Sequence, residues 1–213
     1  MTAASTPIPL EQALELTRTG DLWLFRGTSA ADRAIRVTTN APVNHVGMAV
    51  VLDDLPPLMW HAELGQALVD LWTGKHQRGV QLHDLRDSVL VWANRYGQRG
   101  WLRQLDRPVT QQSEDALLRT IARLDGTPFP TTGALARGFI SGRVPRRRTT
   151  NDATRETAYC AEVVAISYQD MGLLPGKRRP TWYDPGRFWS GDSLQLDGGY
   201  ALSGEIPIDI PAE

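Results

Sequence analysis

Part-way along this chain the apolar residues change period, and that change constrains the fold more than any other feature. Between residues 20 and 93 they come in short runs: Leu22-Trp23-Leu24-Phe25, His45 to Leu52, Leu58 to Glu63, Val80 to Leu82 and Val89 to Ala93. Turn formers such as Asp53-Asp54-Leu55-Pro56-Pro57 separate them. Runs of this length, rich in valine and tryptophan, read as strands of a meander whose neighbours pair antiparallel. After residue 100 the spacing becomes helical. Ser113-Glu114-Asp115 opens a run carrying Leu117, Leu118, Ile121 and Leu124 that stops at Gly126, and residues 159–173 form a second helix ending near Gly172. Strands followed by helices predict an α+β fold: an antiparallel sheet of about five strands with the second helix packed on it.

Smaller elements complete the reading. Ile8, Leu10, Ala13, Leu14 and Leu16 predict an opening helix, Gly20-Asp21 fixes the turn into the first long strand, and Ser29 caps a helix through about Val37. The polar segment 142–157 reads as a flexible surface loop, and a last short strand is expected near Tyr200-Ala201-Leu202. At 213 residues the chain is one domain, 1–213, with a continuous core.

A formal charge of -1 supplies no basic field to recruit nucleic acid or anionic lipid. The arginines around 146–148 read as a solvated charge run. No segment has the length of a membrane span or the make-up of a secretory leader, so the expected location is the cytoplasm. One cysteine excludes an internal disulfide, and with scattered histidines it fits no zinc spacing, so no metal or other cofactor is expected; His76 and His83 receive no role.

The chemistry is sought in three places. Cys160 falls in the expected first turn of a helix, where unpaired N–H groups and the helix dipole lower a thiol pKa. His45 opens a buried strand directly after a loop. On the next strand His61 and Glu63 are two apart and share a face, so one of them can hold the His45 imidazole in a fixed tautomer. A helix-borne thiol facing a strand-borne base and its orienter is a papain-type arrangement.

The strings G-D-L-W-L-F-R-G at 20–27, N-H-V-G-M-A-V at 44–50, W-H-A at 60–62, L-D-G-T-P-F at 124–129 and Y-C-A-E-V-V at 159–164 resemble the circularly permuted NlpC/P60 papain-like peptidases. The YiiX/YaeF-like group is the nearest, and the lecithin:retinol acyltransferase-like proteins are more distant. The resemblance covers about residues 20–190, with the cysteine last in order. It implies Cys160 as nucleophile, His45 as general base and His61 as third residue, with Glu63 the same-face alternative. Tyr159 and Asn44 line the pocket on this reading, and the Cys160 backbone N–H is the oxyanion donor. The implied activity is a thiol hydrolase cleaving a peptide, isopeptide or muropeptide amide through a thioester. Its partner would be a peptide-like or acyl-containing small substrate. An acyltransferase or lipid hydrolase on the same pair, and a catalytically silent binding module, are the alternatives.

Overall fold

The structure, a computed structural model, describes residues 6–27, 41–128, 152–192 and 194–212. The helix expected from Ser29 and the loop expected at 142–151 lie outside them.

A short strand β1 (Ile8–Pro9) runs into helix α1 (Leu10–Leu16), followed by β2 (Leu22–Arg26), β3 (His45–Val50), β4 (Leu58–Glu63) and β5 (Gly79–Asp84). Helix α2 (Leu85–Leu90) continues as one wider π turn, Val91–Arg95, before β6 (Arg99–Arg103). Helices α3 (Gln111–Leu124) and α4 (Asp152–Asp170), three short 3-10 turns and β7 (Ile206–Asp209) complete the chain. The strands form one seven-stranded sheet in the order β1-β7-β6-β2-β3-β4-β5. Every pairing is antiparallel except β1 with β7, so the sheet is mixed and wider than the meander predicted. The strand expected at 200–202 is a single bridge, Leu202 to Leu105, and the strand proper comes later as β7.

Val89 to Ala93 is helical, contrary to the strand expected there. Asp84 caps α2 by accepting the Asp87 N–H at 2.9 Å, and the Ser88 hydroxyl donates to the Asp84 carbonyl at 2.7 Å. This local capping outweighs the β propensity of valine and tryptophan, and the helical spacing buries Leu85, Val89 and Trp92 together. Helix α4 also begins earlier than expected, with helical backbone from Asp152, so residues 152–157 are not loop.

Both faces of the sheet are covered. On one face Leu24, Val46, Met48 and Trp60 pack against Leu117 and Ile121 of α3 and Val163, Val164 and Tyr168 of α4. The Trp60 indole N–H donates to Ser167 Oγ at 3.0 Å across that layer. On the other face Trp23, Phe25, Ala49 and Met59 pack against Leu10 and Ala13 of α1 and Leu85, Val89 and Trp92 of the α2 region. Central strands buried on both sides explain why β3 and β4 show no polar alternation in sequence, except where histidines stand. Asp21, expected to hold the turn at Gly20 (φ 91°), also accepts from the Leu105 N–H at 2.8 Å and so ties β2 to the end of β6. Among the described residues no helix is long and apolar enough to cross a membrane.

Candidate functional site

The sheet face that meets Trp92 carries a polar cluster. β3 and β4 pair with Met48 opposite Trp60, which puts Gly47 next to His61 and gives His45, His61 and Glu63 a common face. β5 pairs with β4 with Met59 opposite His83 and His61 opposite Gln81, so Gln81 and His83 join them. Gly47 is needed for this packing, because a Cβ there would stand 2.3 Å from Met59 Sδ.

The three imidazoles form a chain. His45 Nε2 lies 3.1 Å from His61 Nδ1, His61 Nε2 lies 3.0 Å from His83 Nδ1, and His83 Nε2 lies 3.0 Å from Gln81 Oε1. Each ring is no more than 2% exposed. The direction of the chain follows from its end. The Gln81 amide donates from Nε2 to the Glu63 carbonyl at 3.3 Å and turns Oε1 to His83. Since Oε1 only accepts, His83 Nε2 carries that ring's proton and its Nδ1 accepts from His61 Nε2. His61 Nδ1 then accepts from His45 Nε2, and the His45 Nδ1 lone pair is left buried with no hydrogen-bond partner.

Burial keeps all three rings neutral. It holds His45 and His61 well below the usual histidine range, with the neighbouring imidazoles adding to the effect at His61. Burial also lowers His83 to about 4, Asp70 working against the shift and His76 with it. Glu63, 3% exposed, is pushed up to about 7 by burial, with Trp92 tempering the rise. Its Oε2 lies 3.9 Å from both His61 Nε2 and His83 Nδ1. The Trp92 ring closes the cluster, with its centroid 3.8 Å from that of His45 and 5.4 Å from that of His61.

The structure thus brings together His45, His61 and Glu63 from the sequence reading, and His61 rather than Glu63 makes the hydrogen bond to His45. It does not bring Cys160 to the same layer. Cys160 is fully buried in the core layer that holds Val46, Met48 and Trp60 of the sheet, whereas the His45 ring sits on the opposite face against Trp92 and Phe25. With α4 starting at Asp152, Cys160 lies inside the helix and not in its first turn, so its backbone N–H belongs to the helical ladder and does not serve as oxyanion donor. Asn44 accepts the Gly27 N–H through Oδ1 at 2.7 Å and joins β2 to the start of β3. Tyr159 is 8% exposed, its hydroxyl pushed up to about 12 by burial, with Glu162 adding to the rise.

Two members of the cluster carry no signal strong enough to be found from sequence. His83 and Gln81 alternate with the apolar Val80 and Leu82, which marks one face of a strand. Their approach to His61 depends on the β4–β5 register, set across the loop between them.

The fold and site together define an α+β protein whose helix-backed sheet buries a directed histidine relay. No protein-family model matches the chain, and no curated protein matches it. Among solved structures the fold is similar to that of yiiX from Escherichia coli O157:H7, described as a metalloprotein, at 19% identity and a TM-score of 0.45. The match covers 73% of this chain and 66% of that one.

Proposed function

We propose that this chain is a hydrolase of the permuted NlpC/P60 papain-like type, in which His45 is the general base and His61 positions it. The observation that carries this is the unpartnered Nδ1 of His45, buried while its Nε2 is committed to His61. A general base needs a lone pair at one nitrogen and a fixed orientation through the other. The relay supplies both. Burial keeps the ring deprotonated at neutral pH, and Trp92 covers the His45–His61 bond against water.

Cys160 is the nucleophile the sequence nominates. In this reading His45 Nδ1 takes the thiol proton as the sulfur attacks an amide carbonyl, and a thioester forms and is resolved by water. The helix bearing Cys160 packs on β3 and β4, the same strands that hold the two histidines, so this reading requires a rearrangement that brings the thiol to the face of the sheet that carries His45. A second reading, a catalytically silent binding module, is favoured by one observation: Cys160 is fully buried in the layer opposite the His45 ring.

The pH dependence of Cys160 alkylation by iodoacetamide, in the parent and in His45→Ala, separates the two. The hydrolase reading expects an apparent thiol pKa well below the free value of about 8.5, rising toward it in His45→Ala. Slow alkylation indifferent to His45 would establish the binding module instead.

A further inference from the structure

Three of the chain's four histidines lie in one buried patch, and the base described above uses only two of them. We propose that His61, Glu63 and His83 bind one divalent transition-metal ion of the zinc type. The donor set is two imidazoles and a carboxylate, the chemistry of open zinc sites. His61 Nε2, His83 Nδ1 and Glu63 Oε2 form a triangle with sides of 3.0, 3.9 and 3.9 Å. Bonds of about 2.0–2.1 Å in a tetrahedral site put donor atoms about 3.3 Å apart, between those two lengths. An ion at the centre therefore needs the nitrogens to part by a few tenths of an ångström and the carboxylate to close by about half an ångström.

The surroundings hold these donors in place. His61 and Glu63 are two apart on β4 and His83 stands on the paired strand β5, so rigid backbone sets all three. The outer ring nitrogen of each histidine already has a partner, His45 for His61 and Gln81 for His83, as metal-ligating imidazoles require. Gly65 makes room for the carboxylate, because a Cβ there would stand 2.2 Å from Glu63 Oε1.

Such an ion also reverses the relay. Metal on His61 Nε2 leaves that ring's proton on Nδ1, which then donates to His45 Nε2, and His45 carries its proton on Nδ1. The protons balance: one leaves His61 Nε2, one crosses from His45 to His61, and one is taken up at His45 Nδ1. The ion silences His45 as a base, a consequence that rests on the hydrolase reading, whereas the site itself does not.

The test is calorimetric titration of the metal-stripped full chain with Zn2+, together with the visible spectrum of the Co2+ form. One ion per chain is expected, with the intense absorption of tetrahedral Co2+. Glu63→Gln and His83→Gln each weaken binding by about tenfold or more. His76→Gln and Cys160→Ser leave it unchanged, which excludes an exposed histidine or the thiol as the ligand. Absence of saturable Zn2+ binding by the unsubstituted chain overturns the proposal without any variant, as does binding that survives both Glu63→Gln and His83→Gln in folded protein. Zn2+ binding that leaves the His45-dependent alkylation profile untouched would reject the relay reversal.

Discussion

Gln81 decides the direction of every proton in the histidine chain, although it neither titrates nor attacks anything. It is fully buried, gives its amide N–H to the Glu63 carbonyl and its oxygen to His83. Gln81→Leu keeps the volume of the side chain but leaves His83 Nε2–H without an acceptor. An unsatisfied buried donor costs about 1–3 kcal/mol, so urea denaturation of the variant should show an unfolding free energy lowered by that amount, seen as a lower midpoint with an unchanged slope. A variant as stable as the parent would mean that His83 has turned its ring and the relay is undirected. At this scale the sequence revealed part of the site. His61 and Glu63 share a face because strand side chains alternate, and that needs no structure. His83 was not legible, because its partnership with His61 depends on which residue of β5 faces Met59. Nor was the separation of Cys160 from His45, since the position of a residue in sequence does not say which face of the sheet its helix covers.

Elements were most legible where hydrophobic period and capping agreed. The predicted run from Ser113 to Leu124 became α3, whose cap is Thr110 accepting the Ser113 N–H at 3.2 Å. Where the two disagreed, capping won. Val89 to Ala93 has the composition of a strand, yet Asp84 and Ser88 turn the chain into α2 before it can pair. That turn brings Trp92 over the histidines, so the site depends on a helix cap. Asp84→Ala should cost about 1 kcal/mol of stability, the usual loss for removing an N-cap. It should also make Trp92 fluorescence in this region less shielded from an added quencher. If α2 held without its cap, stability would not change and the strand composition would have been irrelevant to the outcome.

The whole molecule carries the histidine cluster as a stability that depends on pH. Unfolded, His45, His61 and His83 each take up a proton as pH falls through about 6.5; folded, burial keeps all three neutral to much lower pH, to about 4 for His83. The unfolded chain therefore binds more protons at these sites, and acid favours unfolding. Glu63 has the opposite sign. Its folded pKa is raised from 4.5 to about 7, so between those values the folded chain holds a proton that the unfolded chain has released. Asp125, raised from 3.8 to about 7 by burial with Asp70 adding to the rise, has the same sign as Glu63. Three histidine protons against these two carboxyl protons leave a net uptake of about one on unfolding, worth roughly 1.4 kcal/mol per pH unit between about pH 4.5 and 6.5. Urea denaturation of chelator-treated protein at steps across that window should show stability falling toward acid and nearly level from pH 7 to 8. His83→Gln should reduce the slope by about one proton, or 1.4 kcal/mol per pH unit. A His83→Gln slope equal to the parent's would mean that water reaches the relay and His83 titrates as an exposed histidine does, which would also remove the reason His45 stays a neutral base inside the sheet. The same burial that makes His45 available to accept a proton therefore costs the fold its tolerance of acid, and both follow from setting three imidazoles on the covered face of a central sheet.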